Sequence, residues 1–355
     1  MSKIYMPIRA KVGAHPALEK NMKAVAFQEV GGPEVLVDID VPVPDPGPHD
    51  LLVATKAVSV NPADVKVRSG SVPVPGTLKV AGYDAAGVVE AVGANVTLFK
   101  VGDLVYYGGS IDRPGSNSEY QLVDERIVGN MPKSLSFAQA AALPLTALTA
   151  WELLFERLSV PTDIQMSTGT LLVINGAGGV GSILIQLARQ LTGLTVVASA
   201  SRPETQEWVT KMGAHHIVNH RNPLEVEFES LGLGNAHYVA GLTNTAEQIN
   251  SIAQLIAPYG RLGVVDDHPL EIFPLMPKSI TVTWEMVFTR ALFQTDDMIE
   301  QHNILNRVAK LVDEGVLVTT MKEELGPVSA KNLQKAHKKL ESGTTIGKIV
   351  LSDFA

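Results

Sequence analysis

A glycine-rich turn between two apolar runs sets the strongest limit on how this chain can fold. The run 171–174 is short, apolar and rich in branched residues, which is typical of a strand buried on both faces of a parallel sheet. Gly176, Gly178 and Gly181 follow it at once in the spacing G-x-G-x-x-G. Apolar residues then recur at helical spacing, and the run 194–198 predicts the next strand. The pattern predicts a strand, a turn, a helix and a strand within about thirty residues.

That context gives the glycines a specific interpretation. The first glycine permits the tight turn, the second lets the backbone approach a pyrophosphate, and the third lets helix and strand pack closely. Gly179 and Val180 lie at the helix start, where free N–H groups and the positive end of the helix dipole favour a phosphate. We therefore predict a dinucleotide site. The alternative is a turn that needs small residues for packing alone.

The end of the second strand distinguishes the two nicotinamide cofactors. An NAD site usually has an acidic residue about twenty residues beyond the glycines, which binds the ribose 2′-hydroxyl. Here Ser199, Ser201 and Arg202 stand in that region, and the nearest acid, Glu204, is expected in the first turn of the following helix. Hydroxyls and a guanidinium suit a 2′-phosphate. The prediction is NADPH, with a solvated strand-end charge as the alternative for Arg202.

Composition excludes several kinds of site. The 355 residues include no cysteine, which rules out disulfides, thiolate metal sites and a cysteine nucleophile. The nine histidines are scattered without a helical ligand pair, so no metal site is predicted. A formal charge of −8 gives no electrostatic footprint for nucleic acid.

Residues 1–21 are interpreted as an N-terminal extension before Met22. Three possibilities stay open for this leader: an ordered arm, a disordered tail, or an upstream extension of the chain. The leader carries basic residues but lacks the apolar core of a signal peptide, so a cytoplasmic location is expected. The apolar runs elsewhere are short and interrupted by glycine, proline or charge, which does not resemble a membrane span.

Taken in order, the chain predicts an α/β protein with two domains. Short strands and frequent glycine turns suggest a barrel-like first domain, in which Asn61 caps a helical turn with Pro62 at its first position. Strands and helices then alternate, which predicts a doubly wound parallel sheet. In this part a helix is expected over 245–256, with Gly260 as its stop before a strand over 261–265.

The tail is assigned back to the first domain. The predicted boundaries are 22–150 together with 290–355 for the barrel-like catalytic domain, and 151–289 for the Rossmann NADP(H)-binding domain.

The order of these parts resembles the medium-chain dehydrogenase/reductase superfamily, from about Met22 to the end. The resemblance is carried by NGAGGVGS, IDRPGSNSEYQLVDERIVG, LPLTALTAWELLFERL and the closing GKIVL. It is greatest for the quinone oxidoreductase branch and for bacterial proteins labelled zinc-type alcohol dehydrogenase-like. The resemblance implies a GroES-like barrel domain joined to a Rossmann domain.

The sequence departs from the zinc enzymes of that superfamily. Those enzymes place a cysteine in the first-domain loop and a histidine in a G-H-E turn. Here the corresponding residues are Asn61 and the turn Gly82-Tyr83-Asp84, and the four-cysteine lobe is missing. Without a Lewis acid, alcohol oxidation loses a major source of transition-state stabilisation. Quinones and activated alkenes need less help, because conjugation spreads the charge that hydride leaves.

The resemblance also implies roles for individual residues. Asn61 and Tyr83 are expected to face the substrate, each with a structural alternative: Asn61 as a helix cap and Tyr83 as a packed aromatic. Asp64 and Asp84 are expected to hold loops. The expected cofactor-binding residues outside the glycine turn and the 2′-phosphate region are Thr149, Asn219, Thr243, Val265, Gly347, Lys348 and Ile349.

These expectations lead to one main functional prediction and two alternatives. The main prediction is a zinc-independent, NADPH-dependent oxidoreductase that passes hydride to quinones. The first alternative is an NADPH-dependent reductase of enone or alkenal double bonds. The second is an NADPH-binding protein with a regulatory or RNA-binding duty, against which the acidic charge argues. The expected partners are a small-molecule substrate and, by resemblance, a second copy in a homodimer.

Overall fold

The computed structural model describes residues 21–70 and 78–355. The predicted extension therefore lies outside the described residues except for Asn21, which begins the first strand. Residues 71–77 also lie outside them.

The described residues form strands and helices in the predicted alternation. The strands are β1 (Asn21–Ala26), β2 (Val37–Pro42), β3 (Asp50–Ser59), β4 (Ala85–Val92), β5 (Leu104–Tyr107), β6 (Tyr120–Asp124), β7 (Val128–Asn130), β8 (Thr170–Ile174), β9 (Thr195–Ser199), β10 (His216–Val218), β11 (Ala236–Gly241), β12 (Ile256–Val264), β13 (Thr281–Trp284), β14 (Met321–Glu324) and β15 (Lys348–Ser352). The α-helices are α1 (Pro62–Ser69), α2 (Phe137–Ala141), α3 (Pro144–Trp151), α4 (Gly179–Leu191), α5 (Pro203–Met212), α6 (Leu224–Glu229), α7 (Thr245–Leu255), α8 (Thr289–Phe293), α9 (Glu300–Asp313) and α10 (Ala330–Glu341). Three 3₁₀ helices cover Pro33–Val35, Glu125–Ile127 and Phe273–Lys278, and a π-helix covers Glu152–Arg157.

Six parallel strands form the sheet of the nucleotide-binding part, in the order β10-β9-β8-β11-β12-β13. All five residues of β8 are buried, as expected for a central strand covered on both faces. The strand order reverses between β8 and β11, and a ligand of such a sheet binds at that switch point. The glycine turn leaves β8 there.

The second sheet combines the first part of the chain with its tail. Its seven strands run β14-β15-β3-β4-β5-β7, with β6 also paired to β3. The closing strand β15 is antiparallel to β3, for example through Val350 opposite Ser59. The tail therefore returns to the first domain, and the expected GroES-like and Rossmann fold class is confirmed.

One local prediction needs correction. Gly260 does not stop a helix, because α7 ends at Leu255 and β12 begins with the next residue, so Gly260 lies inside a strand. The helix after α3 continues as a π-helix, which sequence periodicity did not reveal. The predicted boundaries at 150/151 and 289/290 both fall within helical segments.

One apolar stretch is long enough to cross a membrane by length and composition alone. It covers Phe137–Arg157, and 83% of its apolar window is buried inside the protein. The sequence analysis expected no run that resembles a membrane span, and this stretch meets the length and composition test. Burial of that extent is typical of a core helix.

Candidate active site

The three motif glycines have different surroundings in the structure. A Cβ on Gly176 would lie 3.0 Å from the Cβ of Ala198, and one on Gly181 would lie 2.4 Å from the carbonyl oxygen of Gly176. A Cβ on Gly178 would meet nothing nearer than the oxygen of Asn175 at 4.0 Å among the described residues. Gly178 also has an ordinary extended backbone, with φ −73°. Internal packing therefore explains the first and third glycines and leaves open space beside the second.

That open space fits a dinucleotide. The helix α4 begins at Gly179, so the free N–H groups of its first turn, including those of Gly179 and Val180, lie next to the opening. A side chain at position 178 would fill the space that a pyrophosphate needs. The residues of the turn thus suit a nicotinamide cofactor.

The closing strand lies directly against this turn. The N–H of Gly347 donates to the carbonyl oxygen of Ala177 at 2.8 Å, and Gly347 forms a parallel bridge with Gly178. Gly347 has φ +56°, and a Cβ there would lie 2.5 Å from the carbonyl oxygen of Thr320, so glycine is required. Gly347 thus contacts the glycine turn, and its predicted contact with the cofactor stays a prediction.

Lys348 follows in a buried polar cluster. Its ammonium donates to the carbonyl oxygen of Val60 at 2.9 Å, to Asn61 Oδ1 at 2.5 Å and to Asp84 Oδ2 at 2.9 Å. Three acceptors satisfy the three donors of an ammonium. The next residue, Ile349, is also buried, and its carbonyl oxygen accepts from the N–H of Val60. Neither Lys348 Nζ nor the Ile349 backbone oxygen is free for the cofactor.

Asn61 has its polar atoms engaged in the same cluster. Its amide nitrogen Nδ2 donates to Asp84 Oδ2 at 2.8 Å, and its backbone N–H donates to Asp64 Oδ2 at 2.7 Å. Asn61 is the N-cap of α1 and Pro62 is the first helical residue, as predicted. The structural alternative for Asn61 is thus present in the structure, and its contact with substrate stays a prediction.

Both carboxyl groups of the cluster are fully buried. Burial raises the pKa of Asp64 to about 7, although the Lys348 cation and the Asn61 N–H act in the opposite direction. Burial likewise raises the pKa of Asp84, opposed by Lys348 and by the N–H of Leu145, which donates to Asp84 Oδ1 at 2.6 Å. Through this hydrogen bond Asp84 connects the turn Gly82-Tyr83-Asp84 to the start of α3.

Tyr83, the residue before Asp84, lines a cavity in the first domain. The cavity has a volume of about 310 Å³, and Leu78, Ile111 and Arg113 are among the residues that line it. The Tyr83 ring packs edge-to-face on Phe288, with ring centroids 5.3 Å apart. Burial raises the pKa of the Tyr83 hydroxyl, so the phenol stays protonated and can donate a hydrogen bond at neutral pH.

Three other predicted cofactor residues are Thr243 and Val265, which follow β11 and β12, and Thr149, which lies in α3. The carbonyl oxygen and hydroxyl of Thr243 accept from Asn175 Nδ2 at 3.1 and 2.6 Å. This contact spans the switch point, and Asn175 was missed because its role depends on a left-handed backbone, φ +57°, after β8. Val265 continues β12 by donating its N–H to Gly241. Thr149 is buried, and its hydroxyl donates to the carbonyl oxygen of Leu145 at 2.7 Å.

The region predicted to bind the 2′-phosphate is partly occupied by internal contacts. The hydroxyl of Ser199 is buried and accepts from the N–H of Asn175 at 2.8 Å. Arg202 caps α5, pairs with Glu204 at 3.0 Å and donates to the carbonyl oxygen of Thr344 at 2.8 Å.

Ser201 lies between those two residues and is half-buried. Asn219 donates its N–H to Glu227 at 3.0 Å and accepts from the N–H of Arg221 at 3.1 Å. Within residues 21–70 and 78–355, no group of three histidine, aspartate or glutamate residues is arranged to hold a metal ion.

This combination of a Rossmann sheet with an open glycine turn and a barrel domain packed against that turn defines a two-domain, dinucleotide-dependent enzyme. Family models match both parts. Residues 47–143 match an alcohol dehydrogenase GroES-like domain, and residues 212–351 match a zinc-binding dehydrogenase domain.

Individual relatives agree with these matches. A zinc-type alcohol dehydrogenase-like protein of Staphylococcus aureus (strain COL) is 41% identical over 314 residues, which cover 87% of this chain and 92% of the relative. The NADPH-dependent alkenal/one oxidoreductase of Arabidopsis thaliana chloroplasts is 36% identical over 62% of this chain and 60% of its own length.

Solved structures show the same architecture. A Rhizobium etli structure, described as a zinc-dependent alcohol dehydrogenase, has a TM-score of 0.91 and 51% identity, covering 95% of this chain and 99% of that chain. The Escherichia coli quinone oxidoreductase complexed with NADPH has a TM-score of 0.79 and 26% identity, covering 93% and 99%. The chain belongs to the medium-chain dehydrogenase/reductase family of nicotinamide-dependent oxidoreductases.

Proposed function

We propose that this protein is a zinc-independent, NADPH-dependent oxidoreductase that transfers hydride to quinones. The observation that carries the proposal is the cluster in which the Lys348 ammonium binds Asn61 Oδ1 and Asp84 Oδ2. A cation already satisfies Asn61 Oδ1, at the position where the zinc enzymes have a cysteine, and Asp84 Oδ2 beside the position of their histidine. A divalent metal at these atoms would face that charge at close range in a buried environment, which is strongly unfavourable.

An ammonium in this cluster, rather than a metal ion, limits which substrates can accept the hydride. Without a Lewis acid, the negative charge that develops on the substrate oxygen must be stabilised within the substrate or by hydrogen bonds. A quinone delocalises that charge through its conjugated ring. A simple alcohol or aldehyde offers no such delocalisation.

The cofactor side of the proposal depends on the glycine turn and the end of β9. Gly178 and the start of α4 would hold the pyrophosphate, and Ser201 and Arg202 would lie near the 2′-phosphate. Bound NADPH supplies a hydride. Asn175 and Thr243 hold the carboxyl ends of β8 and β11 together and so fix the floor of the site.

Tyr83 is the residue that we propose to contact the substrate. Its hydroxyl is kept protonated and it lines the 310 Å³ cavity, where it can donate a hydrogen bond to the substrate oxygen as charge develops. Asn61 then acts by positioning, because it fixes Lys348 and Asp84 beside Tyr83. Water can supply the proton that completes the reduction.

Steady-state oxidation of NADPH and NADH against quinones, enones, enals and simple aldehydes tests this proposal. We expect NADPH-driven quinone reduction, and a loss of about tenfold in kcat/KM for Tyr83→Phe, the order expected for one hydrogen bond to developing charge. The matched control is Tyr106→Phe, whose buried hydroxyl donates to Leu305 on α9. The Tyr106→Phe variant should have a lower free energy of unfolding and an unchanged kcat/KM. Equal kcat/KM in Tyr83→Phe and the wild type would remove Tyr83 from the reaction.

The second candidate is reduction of enone or alkenal double bonds. The likeness to the alkenal/one oxidoreductase of Arabidopsis thaliana favours it, and the same residues would serve both reactions. The same substrate panel separates the two, because an enone reductase would leave simple quinones unreduced. A regulatory or RNA-binding role would be supported only by an absence of turnover with every acceptor. We further propose a homodimer, as the resemblance implies, and a cytoplasmic location.

A further inference from the structure

A histidine that the mechanism does not use lies beside the proposed 2′-phosphate region. His220 follows β10, and its Nδ1 lies 3.1 Å from the hydroxyl of Ser199 at the end of β9. The same hydroxyl accepts from the N–H of Asn175, the first residue after β8. These two contacts hold the imidazole at the carboxyl edge of the sheet, next to the start of the glycine turn.

The charges around this imidazole are mostly positive. Arg221 precedes α6 and Arg202 caps α5, and both act electrostatically on His220. The nearest carboxylates are engaged elsewhere: Glu204 pairs with Arg202, and Glu227 of α6 accepts from Asn219 and Asn222. Burial and the two arginines hold the pKa of His220 below its ordinary value. The imidazole is therefore neutral at pH 7 before a ligand binds.

We propose that His220 takes up a proton when an adenosine 2′-phosphate binds between Ser201 and Arg202, which makes NADPH affinity pH-dependent in a way that NADH affinity is not. The inference rests on the proposed use of NADPH. A phosphate with a charge near −2 neutralises the two arginines and favours the imidazolium. When Nδ1 is unprotonated the Ser199 hydroxyl donates to it, and when Nδ1 is protonated the same hydroxyl rotates and accepts from it. The proton thus binds at Nδ1, which then donates to Ser199 Oγ.

The 2′-phosphate and His220 titrate with opposite effects on NADPH affinity, so the pH dependence of binding tests the proposal. The 2′-phosphate itself loses its second proton near pH 6, which strengthens binding as pH rises. Protonation of His220 strengthens binding as pH falls. The wild type should therefore bind NADPH most tightly at a pH between the titration of the phosphate and that of His220 in the complex. Its NADPH affinity should fall about tenfold between pH 6.5 and 8.5.

The experiment is isothermal titration calorimetry of the full chain with NADPH, NADH and adenosine 2′-monophosphate over pH 5.5–8.5. Each titration is repeated in two buffers of different ionisation enthalpy, so that proton uptake is measured directly. We expect the wild type to take up protons at pH 7.5 with NADPH and with adenosine 2′-monophosphate, and to take up none with NADH. His220→Gln should lose this uptake, and its NADPH affinity should only rise with pH. His220→Asn repeats the test, and His49→Gln, on an exposed histidine of the first domain, should behave as the wild type.

The outcomes separate this inference from the proposed function. Tighter binding of NADPH than NADH without proton uptake, or identical pH profiles in the wild type and both His220 variants, would overturn the inference alone. Equal affinity for NADPH and NADH at every pH, unchanged in Arg202→Ala, would overturn the inference together with the NADPH proposal.

Discussion

Gly178 differs from the other two motif glycines because no internal contact requires it to lack a side chain. We predict that Gly178→Val lowers cofactor affinity tenfold or more, about 1.4 kcal/mol of binding free energy, with little change in thermal stability. Calorimetry with NADPH and a thermal melt of the free protein measure the two quantities.

Gly181 provides the matched control, since its Cβ would lie 2.4 Å from the Gly176 oxygen. Gly181→Ala should lower the melting temperature of the free protein. If Gly178→Val instead lowers stability and retains affinity, the open space beside Gly178 is not the pyrophosphate site.

His337 gives a prediction about acid stability. The side chain is fully buried in α10, and neither ring nitrogen has a hydrogen-bond partner in the described part of the chain. Burial and nearby Arg68 lower its pKa to about 4. The unfolded chain binds this proton near pH 6.5, so stability is lost as pH falls from about 6.5 towards 4.

The loss attributable to His337 should reach about 2 kcal/mol at pH 5. We expect His337→Leu to reduce the difference in unfolding free energy between pH 7.5 and pH 5 by that order, measured by urea denaturation at both pH values. An unchanged difference would mean that the imidazole is solvated or paired in solution.

At the scale of elements, the π-helix contacts α8 and the residue after β13 through two buried carboxyl groups and two arginines. Glu152 pairs with Arg290 at 2.7 Å, and Glu285 pairs with Arg157 at 2.9 Å. Burial, reinforced by the neighbouring Glu152 carboxylate, raises the pKa of Glu285 to about 9 from an ordinary 4.5. Between about pH 4.5 and pH 9 the folded chain keeps this proton and the unfolded chain has lost it. The free energy of unfolding therefore falls as pH rises through this range.

Glu285→Gln replaces a protonated carboxyl with a group of similar shape. It should reduce the loss of unfolding free energy between pH 5 and pH 8 by at least about 1 kcal/mol. Urea denaturation at the two pH values measures this, and an equally steep loss in the variant would show that Glu285 is ionised in the folded protein.

The elements also show what local sequence can and cannot predict. The strand, turn and helix around Gly176 were predicted because their signals lie within one short segment. The direct passage from α7 into β12 was not, because glycine at position 260 suggests a stop when read alone. In the structure Gly260 occupies a crowded strand position, where a Cβ would lie 2.8 Å from the oxygen of Ala257.

At the scale of the whole molecule, the site depends on contacts between distant parts of the chain. Lys348 lies 264 positions from Asp84 and 287 from Asn61, and spacing in the sequence does not indicate such contacts. Resemblance brought Asn61 and Lys348 forward as candidates, but it assigned Lys348 to the cofactor. The structure gives its ammonium three protein acceptors, and its contact with the cofactor stays a prediction. The two sheets meet where Gly347 contacts the glycine turn.

For the whole molecule, we propose that hydride transfer proceeds without zinc. The most direct measurement is the rate of NADPH-driven quinone reduction before and after exhaustive chelation, together with the zinc content of the same preparation. We predict far less than one zinc per chain and an unchanged rate, because the Lys348 ammonium satisfies Asn61 and Asp84. A rate that is abolished by chelation and restored by stoichiometric zinc would contradict the central claim.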